Sequence, residues 1–440
     1  PVARISARVA RKGARMACLL LASVRSVMHK HAMTLISLPE SRADAEALDE
    51  VDPLARCRAA FALPEGVTYL VGHSLGPATI GAMEAVREAS EGAWLNDRVG
   101  AWNSADWIQL AERVGGRTAK LVGADASEVV VCDSVSVNLF KLAAAALPLA
   151  RTRRLVVETD EFPTDQYILE GLSGVADVEL IRAEPGQGLA QLNGGVLVKS
   201  LVNYRSADVA DMVADEAAAQ DEGGWIVWDL SHATGVLDVQ LAKSHARLAA
   251  GCTYKYLNGG PGAPAFLYAR GDVAGELSSP LPGWMGHAAP FEFTSDYKPK
   301  HGAARFACGT PPILSLAALD GALKVFDDVA MRDVQAKSRS LGQMCLMMAE
   351  GMGLDIASPL DPQRRGGHVS LRHPDGYPLV RAMADWGIEA DFRTPHTIRL
   401  GLSPLFLSYA EIWDAMSELA EIVETRSWDT ACYREKAIVT

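Results

Sequence analysis

Cys252-Thr253-Tyr254-Lys255-Tyr256-Leu257-Asn258-Gly259-Gly260-Pro261-Gly262-Ala263-Pro264 sets one lysine between two tyrosines, directly before a Gly/Pro-rich turn in an apolar neighbourhood. Lysine is ordinarily a surface residue, and a solvated lysine ahead of a loop is the plain alternative. Held among aromatic and apolar groups, a lysine amine is instead a candidate for imine formation or for proton abstraction. The residues around it decide between the two.

Upstream, Trp225-Ile226-Val227-Trp228-Asp229-Leu230-Ser231-His232 reads as an apolar strand ending in an aspartate, with a histidine three residues on. An aspartate after a strand is equally a helix cap. From 129 to 270, apolar runs at 129–132, 155–158, 196–202, 226–228 and 265–268 alternate with helical stretches at 137–147 and 207–219. Such alternation implies βαβ units, a mainly parallel sheet with helices on both faces, and ligands beyond the carboxyl ends of strands. Asp229 thus falls at a ligand-facing end, and Lys255 follows it by 26 residues with a Gly-rich loop behind. That layout suits pyridoxal phosphate, which needs an amine for its aldehyde, an anion for its ring nitrogen and donors for its phosphate. Ser134-Val135-Ser136-Val137-Asn138, between a strand and a helix, supplies hydroxyls and free amides for the phosphate; two serines there also serve as plain N-caps.

The chain is long enough, at 440 residues, for two domains or one large α/β unit with an appendage. Hydrophobic residues at 49% and charged ones at 22% describe a folded globular protein. The net charge of −12, with seven Arg/Lys and no Asp/Glu confined to residues 1–32, argues against a general affinity for nucleic acid or anionic membrane. Seven scattered cysteines without a C-x-x-C pair read as free thiols in a reducing cytosol, with no metal site or disulfide frame. Residues 1–32, whose apolar run is too short to span a bilayer, read as an extension outside the fold, with a transit or signal sequence as the alternatives.

Helical spacing begins at 44–61, a short apolar run follows at 67–71, and residues 72–77 form a loop holding His73 and Ser74. Residues 83–94 read as a helix. Trp94, Trp102 and Trp107 lie within fourteen residues, suiting either packing or the wall of a pocket for a flat substrate. One or two long helices fill 311–351, and a smaller α+β unit follows, with strands at 368–371 and 397–402 and helices at 378–386 and 409–425. The expected division is 1–32 extension, 33–64 segment joined to the small domain, 65–330 large domain, and 331–440 small domain.

Residues 72–77, Asn138-Leu139, Phe162-Pro163-Thr164-Asp165, Asp229-Leu230-Ser231-His232, 254–260, Gly283-Trp284-Met285-Gly286-His287, Gly309-Thr310-Pro311-Pro312 and 399–405 together closely resemble kynureninase, in order along 44–425. The resemblance implies a fold type I pyridoxal-phosphate enzyme, a homodimer in the cytoplasm, that hydrolyses L-kynurenine to anthranilate and L-alanine in tryptophan degradation, a route linked to NAD biosynthesis. It implies that Lys255 condenses with the cofactor aldehyde, Asp229 pairs with the ring nitrogen, and His232 lies close by. Phe162 would stack on the ring, Asp165 assist at its hydroxyl side, and Val135, Ser136, Ser200 and Tyr254 surround the phosphate. Trp284 would contribute near the dimer boundary, and Thr310 would belong to the same cofactor set.

A guanidinium in the apolar strand around Arg399 needs an anion, and the resemblance assigns it the substrate α-carboxylate; a structural ion pair is the alternative, and the expected one for Arg393. Ser74, Trp102, Gly309 and Thr310 complete the expected substrate site. Thr310 replaces an asparagine found in some members, and tryptophan replaces a polar imidazole, a pattern that favours kynurenine over 3-hydroxykynurenine. Tyr254 is the expected proton donor to the substrate β carbon.

Rivals are a transaminase or desulfurase on the same fold, a non-catalytic relative, or a dinucleotide-binding protein. The last lacks a G-x-G-x-x-G after its first strand. A desulfurase needs a mobile cysteine in a late loop, which neither Cys345 nor Cys432 suits.

Overall fold

The computed structural model describes residues 38–435. The expected extension at 1–32 lies outside them. Seven strands form the central sheet: β1 (Val129–Val131), β2 (Arg154–Glu158), β3 (Glu179–Ala183), β4 (Val196–Ser200), β5 (Trp225–Asp229), β6 (Leu248–Gly251) and β7 (Phe266–Ala269). Their order is β1-β7-β6-β5-β4-β2-β3, and only β7 runs against the rest. Every residue of β5, β6 and β7 is buried, as expected of apolar runs in a sheet covered on both faces.

Register brings the site together. Ser200 pairs with Asp229, and Asp229 with Ala250, so the carboxyl ends of β4, β5 and β6 are level and Lys255 follows four residues past β6. At the neighbouring edge, Cys132 and Asp133 exchange backbone hydrogen bonds with Ala265, each 2.8 Å, which places the start of the next helix beside the Lys255 loop.

Ten longer helices accompany the strands: α1 (Arg42–Glu50), α2 (Ile80–Arg87), α3 (Leu110–Val122), α4 (Val135–Ala146), α5 (Pro163–Ala176), α6 (Met212–Asp221), α7 (Ile313–Ala322), α8 (Met331–Ala349), α9 (Gly376–Asp385) and α10 (Tyr409–Thr425). Ser134 caps α4 by accepting the Val137 N–H, and Pro163 opens α5 where a missing N–H costs nothing. The C-terminal sheet, β8 (Asp355–Ile356), β9 (His368–Arg372), β10 (Asp391–Arg393) and β11 (Thr397–Gly401), is antiparallel in the order β10-β11-β9-β8. Helix α1 docks on α10: the Asp49 carboxylate accepts the Tyr409 and Ala410 N–H groups at 2.7 and 2.9 Å, and Arg42 pairs with Asp414.

Three features depart from the expectation. The N-terminal segment stays with the C-terminal sheet beyond residue 64: Thr68–Tyr69 pairs in parallel with Ile388–Glu389, and Val71 bridges to Gly401. Strands β3 and β6 were not expected. The helix expected over 83–94 starts at Ile80 and continues as a π-helix over Glu88–Trp94. Among the described residues, no helix is long and apolar enough to cross a membrane.

Candidate active site

Lys255 sits on the loop after β6, with its Nζ 3.2 Å from His232 Nε2 and 5.9 Å from the centre of the Tyr254 ring. Burial, followed by the Lys255 charge, keeps the His232 imidazole well below its ordinary pKa. A neutral ring accepting at Nε2 carries its proton on Nδ1. Asp229 closes β5, and its Oδ1 accepts the Ser231 N–H at 2.8 Å.

Two more buried carboxylates stand by this group, Glu161 and Asp165. Glu161 Oε1 accepts the Ser200 N–H at 2.8 Å, while Glu161 Oε2 and Asp165 Oδ2 have no hydrogen-bond partner among the described residues. Burial raises all three acids, Glu161 to about 7, and the Lys255 charge pulls Asp229 and Asp165 back. Buried carboxylate oxygens without a protein partner suit a polar, partly cationic group.

Beside it lies a cavity of about 470 Å³, lined by Ser134, Val135 and Ser136 at the start of α4, by Tyr254, and by Gly262 and Pro312. The first N–H groups of a helix have no intrahelical acceptor, so this wall offers amides and hydroxyls to an anion. Cys252 beside Tyr254, together with burial and the Asp229 charge, raises the phenol, which therefore holds its proton at neutral pH.

On the other side of His232, three imidazoles gather. His73 and His368 stack with ring centres 5.2 Å apart, and His368 lies 5.6 Å from His232. His73 Nε2 is 3.4 Å from Asp391 Oδ2, and burial pushes His73 down to about 4. The loop that carries His73 and Ser74 is seated on the lysine turn, since Gly76 N–H donates to the Tyr254 carbonyl at 2.8 Å.

Several expected residues take other partners. Arg399 is buried, but its Nε donates to Asp391 Oδ1 at 2.8 Å, a second N–H to Asp391 Oδ2 and a third to the Tyr204 carbonyl at 2.7 Å. The structural ion pair thus takes the planar fork, leaving two N–H groups. Arg393 joins the same aspartate at 3.1 Å, as expected. Ser200 sits beside Asp229 and gives its amide to Glu161. Phe162 is exposed and meets Tyr204 edge-on at 5.2 Å. Trp102 packs edge-on against Trp107 at 5.9 Å, an intrachain packing contact. Trp284 is partly exposed and packs on Phe291, while Gly309 and Thr310 are exposed just before Pro312.

Sequence reasoning missed Glu161, His368 and Asp391. For Asp391 a signal existed: Asp391 to Arg399, centred on Thr394-Pro395-His396, has the spacing of a tight hairpin whose register sets these two residues opposite each other. Glu161 and His368 stand in segments without distinguishing pattern.

A family profile described as the kynureninase C-terminal domain matches residues 334–419. A kynureninase of Pseudomonas fluorescens is 39% identical over 415 residues, 91% of this chain and 100% of the relative. One of Deinococcus radiodurans is 41% identical over 395 residues, 87% of this chain and 96% of the relative. By structure, an apo cysteine desulfurase from Thermococcus onnurineus NA1 superposes with a TM-score of 0.70 at 18% identity, covering 89% of this chain and all of that one, a likeness of fold alone. Because relatives at this level of identity match nearly end to end, the chain belongs to the kynureninase family.

Proposed function

We propose that this protein hydrolyses L-kynurenine to anthranilate and L-alanine with pyridoxal phosphate as cofactor, and that Lys255, Asp229 and Tyr254 carry the reaction. The observation that carries this reading is the Lys255 amine at 3.2 Å from a neutral His232, among buried acids with orphaned oxygens. The residues present fit the cofactor: Asp229 and Asp165 offer carboxyl oxygens for its ring, Lys255 an amine for its aldehyde, and the α4 start with Ser136 neutral donors for its phosphate. When bound, the cofactor supplies an aldehyde and a cationic ring that takes up the electron pair of a bond broken at the substrate.

The protein's part is proton handling and orientation. Asp229 would pair with the ring nitrogen and keep its proton in place. Lys255, as a free amine, removes the proton from the substrate α carbon. Water adds its hydroxyl to the γ-ketone carbon, the bond between β and γ carbons breaks to leave the anthranilate carboxyl, and the β carbon takes a proton, for which the Tyr254 phenol is the donor; the proton given up by the water restores the phenol, and Lys255 returns the α proton to complete alanine. The α-carboxylate meets the two N–H groups of Arg399 left free by Asp391 and the Tyr204 carbonyl, so its recognition is by one edge of the guanidinium. Residues 72–77, seated on the lysine turn, close the site beside Ser74.

The finer reading is a cytoplasmic homodimer acting in tryptophan degradation and feeding NAD biosynthesis, with Trp284 at the boundary between subunits. The exposed aromatic group Trp284, Phe291 and Phe293 supports the homodimer. Within one chain, residues 72–330 form the large unit and residues 38–71 with 331–435 the small one. With no polar imidazole at Trp102 and Thr310 ahead of the proline pair, kynurenine is preferred over 3-hydroxykynurenine. Measuring kcat/KM for both substrates tests the preference, and a clear advantage for the hydroxylated one overturns it. Lys255→Ala tests the lysine: it is expected to lose the visible cofactor band and turnover, and a variant that keeps both refutes the assignment.

A further inference from the structure

Helix α4 carries a buried cation that the reaction leaves unused. Lys141 is fully buried, and its Nζ donates to Asp133 Oδ2 at 2.7 Å, to the Phe306 carbonyl at 2.8 Å and to Cys132 Sγ at 3.4 Å. A buried ammonium is tolerated only against an anion. Cys132 is not that anion, since burial pushes its thiol up to about 11. Asp133 is the anion, and it is also the one charged residue that lines the cavity formed by Ser134, Ser136 and Tyr254. Its side chain is 30% exposed, and its backbone takes the left-handed conformation, φ 49°, at the junction between strand and helix. Among the described residues no arginine or lysine lines this cavity. Left alone, a carboxylate in that wall would repel a phosphate.

We propose that Lys141 is an electrostatic positioning residue of the phosphate site: its ammonium cancels the Asp133 charge in the cavity wall, so that a phosphate dianion is accepted by neutral hydroxyl and amide donors alone. The inference rests on the reading of this cavity as the phosphate end of the cofactor site. It separates the two roles of the pair, since a mere clamp would hold the turn in place whatever the charge.

The test measures dissociation constants of the full-length apoenzyme for pyridoxal phosphate and for pyridoxal, followed by absorbance and tryptophan fluorescence. Lys141→Met is expected to weaken pyridoxal phosphate about tenfold while leaving pyridoxal within about twofold. Asp133→Asn keeps a residue that accepts the left-handed backbone and leaves Lys141 uncompensated, so pyridoxal phosphate binds about threefold tighter. The double variant returns to within about threefold of the parent. If Asp133→Asn weakens pyridoxal phosphate, or the double variant binds no better than Lys141→Met, the pair is only a clamp and the proposal falls. Should either single variant fail to fold, the double variant, which leaves no unpaired buried charge, decides: binding within about threefold of the parent upholds the proposal, and a loss of about tenfold overturns it. Ser136→Ala separates the underlying reading: if its ratio of the two constants is unchanged, the phosphate does not bind here, and both fall together.

Discussion

Asp391 holds more of the site than any residue singled out in the sequence. Its two oxygens meet Arg399, Arg393 and His73, and although burial opposes its charge, His73 and the Arg399 guanidinium hold its carboxyl well below the usual carboxylate range. Removing it would strand a buried guanidinium. Asp391→Ala is therefore expected to cost about 3–5 kcal/mol in urea denaturation, and Asp391→Asn less. The three buried imidazoles set the acid limit. A histidine held neutral in the fold but free to protonate near 6.5 when unfolded takes up fewer protons in the native state, so stability falls as pH drops through 6.5 and until the folded value, about 4 for His73, is passed. His73→Asn should lessen the loss between pH 7 and pH 5 by about 1–2 kcal/mol. An unchanged acid limb would show that His73 is not the residue responsible. The fork between Asp391 and Arg399 lay in the hairpin spacing; the stack of His73 on His368 did not, because it joins residues almost 300 positions apart with no local pattern.

At the scale of elements, the lysine turn and the 72–77 loop behave as one piece. A Cβ on Gly76 would collide with the Lys255 carbonyl and the Asn258 side chain, and the first of these is backbone rather than the end of a flexible side chain. Gly76→Ala is expected to lower kcat at least about tenfold through a displaced Lys255, with a stability loss of about 1–3 kcal/mol. Retained kcat would show that the loop can shift independently. The strands that carry the site were legible because β-branched runs buried on both faces stand out, as at Val129–Val131 and Trp225–Asp229. Leu248–Gly251 was not, although it precedes the lysine: two alanines and a glycine have low strand propensity, and burial between β5 and β7 overrides it. Glu179–Ala183 escaped for the opposite reason, being an edge strand with exposed polar positions.

The molecule as a whole carries Lys255, Arg399 and an exposed aromatic group on three different segments of the chain. Trp284, Phe291 and Phe293 face outward, as an interface with a second copy would require. Analytical ultracentrifugation is expected to give twice the 47.0 kDa of one chain, and Phe293→Asp to shift the protein towards that single-chain mass. A wild-type protein that sediments as a monomer would remove Trp284 from the site. The central claim is tested most directly by adding L-kynurenine to the purified protein loaded with pyridoxal phosphate and following anthranilate fluorescence with alanine quantified in parallel. The arrangement around Lys255 predicts anthranilate and alanine in equal amounts; a keto acid in place of alanine, or no anthranilate from a protein that carries the cofactor, would contradict it.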